Sequence, residues 1–238
     1  PLKIAKNRSD LSLLCFAIYG RPRLAFLLKS TSLLGNMDSI QTEALIASLR
    51  TSPLLVADLA EATSLDRSLF GTPKTAILLN ENQKLGHLYE DALRMLLEAS
   101  EQLELLADHV QVFDQDQITL GEMDFILKDR QSGACFQLEL AVKFYLGLNT
   151  VEGWEFPGPD PKDNWRRKFE RMLTHQFTLA DRPEARALLR ERWGIEQFQV
   201  RQLIYGCLFY PLSVDESFLP EGVRADCRKG RWLYVSDW

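Results

Sequence analysis

Apolar residues recur through residues 82–101 at Leu85, Leu88, Tyr89, Ala92, Leu93, Leu96 and Leu97, the i, i+3, i+4, i+7 spacing of one helix face. The spacing predicts a helix over 82–101, with Glu90 at the margin of the stripe and His87 and Arg94 turned away from it. Upstream, residues 38–50 and 53–62 carry similar spacing and predict two short helices, the second opened by Ser52 as cap and Pro53 in its first turn. Residues 74–80, an apolar run after Gly71, Thr72 and Pro73, suit a strand or a loop equally.

The period then changes from helical to alternating. Residues 109–113, 118–128 and 134–145 read as three strands in quick succession, with Gly121 as a bulge position and residues 129–133 as a turn. Such short connections predict an antiparallel meander. A loop rich in Gly, Pro and Asp follows over 153–163, then a polar helix over 164–179 and a second helix over 183–193. A long apolar strand over 199–210 ends at Pro211. Helix, three strands, helices and strand in that order predict an α/β core built on one mixed sheet, preceded by a small helical segment.

Charge changes the picture more than composition does. The 238 residues are 46% hydrophobic and 26% charged, which excludes low-complexity and disulfide-dense classes. The net charge of −5 argues against a generic polyanion binder, but residues 81–124 alone hold eleven acids against Lys84 and Arg94, so the rest of the chain is +4. Cys15, Cys135, Cys207 and Cys227 are widely spaced, without a zinc-like pattern, and read as reduced thiols of a cytoplasmic protein. No apolar run reaches the roughly 20 residues needed to span a bilayer, so no membrane partner is expected. Residues 1–36 carry six basic residues against Asp10, and the first methionine is Met37. The expected division is a peripheral extension over 1–36, upstream of the natural start, a helical segment over 37–80, and the core over 81–238, whose final residues stop within a strand-like run.

Strand parity brings chemistry into view. In the second strand Met123, Phe125 and Leu127 share one face and Glu122, Asp124 and Ile126 the other. In the third, Phe136, Leu138, Leu140, Val142 and Phe144 oppose Gln137, Glu139, Ala141, Lys143 and Tyr145. If the polar faces coincide, Asp124, Glu139 and Lys143 converge, with Glu90 leaning in from the helix. Carboxylates gathered on one face repel unless a cation sits among them, and oxygen ligands suit Mg²⁺ or Mn²⁺. With a nearby ammonium this is a recipe for phosphodiester hydrolysis. An ordinary ion pair between Glu139 and Lys143 on a solvated strand face accounts for the same pattern.

The run Gly121-Glu-Met-Asp-Phe-Ile126 followed by Leu138-Glu-Leu-Ala-Val-Lys143 resembles the PD-(D/E)XK nuclease superfamily, in which an acidic residue on one strand precedes an acid-x-Lys pair on the next. That resemblance implies a restriction-endonuclease-like αβββαβ core. The helix segment Leu85-Gly-His-Leu-Tyr-Glu90 is similar to the first helix of such folds, where a glutamate often joins the metal site. Those stretches, together with the 154–159 loop and "KFERMLTHQFTL", also resemble a family of bacterial proteins known as domain of unknown function 1853. By the resemblance, Asp124 and Glu139 bind Mg²⁺ or Mn²⁺, Glu90 is an accessory ligand, Lys143 positions the attacking water, Gln176 orients substrate, and DNA is the partner. One position departs from the pattern: the acid usually stands two residues before the lysine, where this chain has Ala141. Glu139 precedes Lys143 by four residues, about 13 Å along an extended strand. A catalytically inactive nuclease fold that binds nucleic acid or protein is therefore the competing expectation.

Other candidates carry less. His87 and His175 have no His or Cys at ligand spacing, so a zinc site is not expected. Arg166, Arg167, Lys168 and Arg171 could contact phosphates, although a solvated helix face explains them as well. Trp154, Trp165 and Trp232 could stack on bases but suit a core equally.

Overall fold

A computed structural model of the chain describes residues 39–73, 79–80, 82–160, 162–214 and 218–233. The expectations for residues 1–36, most of 74–80 and the last five residues lie outside the described residues. The helices are α1 (Ser39–Thr51), α2 (Leu85–Glu98), α3 (Trp165–Arg171) and α4 (Pro183–Trp193). The strands are β1 (Thr63–Ser64), β2 (Leu103–Phe113), β3 (Thr119–Asp129), β4 (Cys135–Leu146), β5 (Leu148–Thr150), β6 (Gly153–Glu155), β7 (Phe198–Pro211) and β8 (Arg228–Trp232).

One mixed sheet in the order β1-β7-β4-β3-β2 organises the molecule. The β2–β3–β4 meander is antiparallel, and β7 returns parallel to β4 after the helical crossover. The short β1 and β8 pair with β7 along the edge that β4 leaves open. Helices cover both faces. Leu45 and Leu49 of α1 and Tyr89, Leu93, Leu96 and Leu97 of α2 pack on Phe125, Leu127, Leu138 and Leu203. On the opposite face Trp165, Phe169, Met172 and Phe177 pack on Tyr145, Ile204 and Leu208. This explains why β7 reads as a continuous apolar run, since both of its faces are buried.

Several expectations are corrected. Residues 53–62 are extended, not helical: Leu54 bridges to Tyr205 and Val56 to Val223. Leu54 enters the α2-side core, and its neighbours Leu55 and Val56 enter the other, a division that the residues achieve as an extended chain. The segment is also part of the main sheet through β1 and of the main core through α1. Helix α2 ends at Glu98 because Ser100 Oγ accepts the Gln102 and Leu103 backbone N–H groups and starts β2, six residues earlier than the alternation predicts. The 153–163 loop contains part of the β5–β6 hairpin. The polar helix is regular only over α3, then widens into a π-helical turn, Met172–Gln176.

The strand parity of β3 is also corrected. Met123 packs with Val110, Val112 and Leu179, whereas Phe125 and Leu127 pack beneath α2. Residues two apart in a regular strand share a face, so β3 changes sides at Asp124. Its partner strand turns at the same level: His109, which falls between the pairs Val110↔Met123 and Asp108↔Phe125, has φ +48°. That left-handed residue reverses the alternation of β2, and β3 follows it.

Candidate functional site

The register that pairs Phe125 with Leu138 sets Asp124 opposite Glu139. At Asp124 the ladder gives way to a side-chain contact, in which Leu140 donates its backbone N–H to Asp124 Oδ2 at 2.8 Å. Glu139 is 2% exposed and Gln137 is fully buried, so β4 presents two polar side chains to an interior. Gln137 Nε2 donates to Glu139 Oε1, and Gln176 Nε2 donates to Glu139 Oε2 at 3.2 Å. Gln176 Oε1 in turn accepts from Lys168 Nζ at 2.6 Å. The π-helical turn carries Gln176 to this position, an irregularity common where a helix re-aims a functional side chain.

Electrostatics follow from burial and like charge. Burial, reinforced by Glu90 and Glu122, pushes the Asp124 carboxyl up to about 6 against the pull of the Leu140 N–H. Burial and then Asp124 push Glu139 well above the ordinary carboxylate range. On the other side of the amide, burial and then Lys143 push the Lys168 ammonium down to about 8. One buried acceptor here, Gln137 Oε1, has no hydrogen-bond partner. Buried polar atoms are rarely left so, and in a site of opposed carboxylates the missing partner is a positive or hydrogen-bonding group.

Beyond Lys168 the site opens into a cleft of ≈ 500 Å³. Lys143, Lys162, Arg167, Lys168 and Arg171 line it against the single carboxylate Asp163, and Gln176 joins it to the carboxylate pair. Lys143 lies 3.8 Å from Asp163 Oδ2, with its ammonium directed into the cleft. Tyr145, whose hydroxyl is 3.4 Å from Asp163 Oδ1, supports that acid from below and is itself pushed up by burial.

Thus the structure gathers Asp124, Glu139 and Gln176, and places Lys143 one step away in the cleft. Glu90 stands on the α2 side of Asp124, close enough to raise it, but its Oε2 meets His87 Nδ1 at 2.8 Å and His109 Nε2 at 3.9 Å. Among the described residues no three His, Cys, Asp or Glu side chains form a metal-holding group. The carboxylate oxygens of Asp124 and Glu139 and the partnerless Gln137 oxygen are of the hard type that Mg²⁺ or Mn²⁺ takes, although it is the amide nitrogen of Gln137 that faces Glu139. Trp165 and Trp232 are core residues, and Trp154 stacks on Phe156 and Phe218.

Sequence reasoning set Lys168 in a basic run that a solvated helix face explains as well, and gave Gln137 no role. A signal for Lys168 existed: Trp165, Lys168, Phe169 and Met172 follow i, i+3, i+4, i+7, so the lysine occupies an apolar-stripe position rather than the solvated face. No comparable signal marks Gln137, because its burial depends on Gln176 arriving from the crossover.

A family model described as domain of unknown function (DUF1853) matches residues 23–238, and the chain belongs to that family. No curated protein and no solved structure matches it. No helix among the described residues is long and apolar enough to cross a membrane.

Proposed function

We propose that this member of the DUF1853 family is a metal-dependent nuclease of PD-(D/E)XK type that hydrolyses DNA phosphodiesters. The observation that carries the reading is the buried, mutually repelling pair Asp124 and Glu139 at the inner end of a cationic cleft. Asp124, forced up by burial with Glu90 and Glu122, and Glu139, forced up by burial and by Asp124, are costly to keep as bare anions, and perturbed groups of this kind concentrate at functional sites. Element order supports the same reading: α2, the β2–β3–β4 meander, the crossover and parallel β7 follow the αβββαβ sequence.

Asp124, Glu139 and Gln137 Oε1 are the oxygens that would hold Mg²⁺ or Mn²⁺, which when bound supplies Lewis-acid polarisation and an activated water. The resemblance gave the water-positioning role to Lys143, but Lys168 is the ammonium that shares Gln176 with Glu139, so we assign that role to Lys168. Ala141, two residues beyond Glu139 on the same face of β4, stands where an acid-x-Lys pair would place its lysine, and Lys168 reaches the site from α3 instead. Lys143 then serves the cleft, where it neutralises phosphate charge. Gln176 holds Glu139 and Lys168 in register with each other.

A second reading rests on Glu90. Its engagement by two imidazoles leaves no third carboxylate on the pair, which favours an inactive fold that uses the cleft for binding. Incubation with single- and double-stranded DNA and Mg²⁺ or Mn²⁺, beside Asp124→Ala, Lys168→Ala and Lys143→Ala, separates the two. Metal-dependent cleavage abolished by Asp124→Ala supports the nuclease; no cleavage, or cleavage indifferent to Asp124→Ala, overturns it.

A further inference from the structure

Resting on the reading above, we infer that the cleft is a backbone-phosphate groove that grips a nucleic-acid strand by charge and does not read its bases. The cleft gathers five cations on one open surface against the single carboxylate Asp163, whereas several arginines elsewhere are each matched to an acid. Arg94 pairs with Asp108, Arg130 with Glu104, Arg186 with Asp181, Arg190 with Glu196 and Arg224 with Asp226. Among the described residues, Lys162, Arg167 and Arg171 have no carboxylate within ion-pair distance, and Lys143 reaches Asp163 only at 3.8 Å.

Crowding cations around an open cleft without acids to balance them is unfavourable in the free protein. The depressed Lys168 ammonium records that repulsion, since Lys143 follows burial among its causes. A polyanion relieves it, and a strand with one charge per nucleotide meets several of these groups at once. Positive charge gathered in one cleft is how a chain of net charge −5 can still take a polyanion.

The same lining offers bases neither an aromatic platform nor a free amide. Among the described residues it contains no aromatic ring to stack on, and stacking is what single-strand binders use to hold bases. Trp165 and Phe169 of α3 are turned into the core at 3% and 6% exposure. The Gln176 amide, the one neutral polar side chain among the described lining residues, is already held between Lys168 and Glu139. Phosphate contacts position a strand and carry no sequence information.

Binding of fluorescently labelled oligo-dT and oligo-dA, read by anisotropy in EDTA across a salt series, tests the groove without any chemical step. Both strands are expected to bind with affinities within about threefold of each other, because binding rests on phosphates. The double variant Arg167→Ala/Arg171→Ala should flatten the slope of log K against log salt by about 1.4, at about 0.7 per lost single-strand contact. The double variant Arg186→Ala/Arg190→Ala, on the far helix, should leave the slope unchanged. Absence of binding by the unaltered protein at low salt, a marked base preference, or an undiminished slope in the cleft variant each overturns the groove. Binding in EDTA without cleavage in Mg²⁺ overturns the nuclease alone, and cleavage with an undiminished slope overturns the groove alone.

Discussion

Asp124 and Leu140 are joined by a 2.8 Å hydrogen bond in which a side-chain carboxylate takes the backbone N–H that a regular ladder would give to a carbonyl. The bond ties β3 to β4 at the level where β3 changes faces, and it holds one oxygen of the carboxylate proposed to bind metal. Structure and proposed chemistry therefore compete for the same side chain.

That competition predicts a trade of stability for activity. Asp124→Asn removes one of two repelling buried charges and keeps an oxygen for the Leu140 N–H, so metal-free protein at pH 8 should melt higher than the parent. Cleavage should fall at least about 100-fold, in the range seen when a principal electrostatic group is removed. Thermal melts in EDTA beside a cleavage assay check both halves.

The raised carboxyls predict how stability follows pH. The folded value for Asp124 is about 6 against an ordinary 3.8, so the protonated form favours the fold. The stabilisation is complete below pH 3.8 and is lost as pH rises through about 6. A divalent cation acts in the opposite sense because it favours the ionised pair. The rise in melting temperature caused by Mn²⁺ should be clear at pH 7.5 and nearly gone at pH 5. Asp124→Asn should flatten that dependence.

Lys168 and Lys143 should separate kinetically. Lys168→Ala removes the ammonium beside Gln176 and Glu139 and should lower kcat about 100-fold or more, within the scale of positioned proton-transfer groups. Lys143→Ala removes a cleft charge and should act chiefly on KM and on its salt dependence. Steady-state cleavage of a labelled oligonucleotide distinguishes the two patterns.

The turn in β2 should be costly to fill with a branched side chain. At φ +48°, His109 occupies the left-handed region that β-branched residues avoid. His109→Val should cost about 1–2 kcal/mol and lower the melting temperature by several degrees. His109→Gly retains the turn without that strain. Urea melts of both variants measure the difference.

Much of this architecture is written locally. The apolar stripe of α2, the bounds of α4 and the extent of β7 follow from spacing, with Pro183 opening α4 and Gly194 closing it in a left-handed conformation. The acidic and amide residues of the site, Asp124, Glu139 and Gln176, were also visible as candidates, since polar side chains within apolar strands and helices stand out against their neighbours. The reversal at Asp124 was not visible, because it originates in the backbone of His109 on the neighbouring strand.

Alternation along one strand cannot register a change imposed by the strand beside it. Nor could the sequence choose between Lys143 and Lys168. Lys143 lies on the same strand as Glu139, whereas Lys168 arrives through a crossover and a shared contact with Gln176 in a π-helical turn. The sequence by itself determined the element types and the residues able to do chemistry, because those depend on local period and residue type. Tertiary structure decided which ammonium shares Gln176 with Glu139, because that depends on how segments distant in the chain pack together.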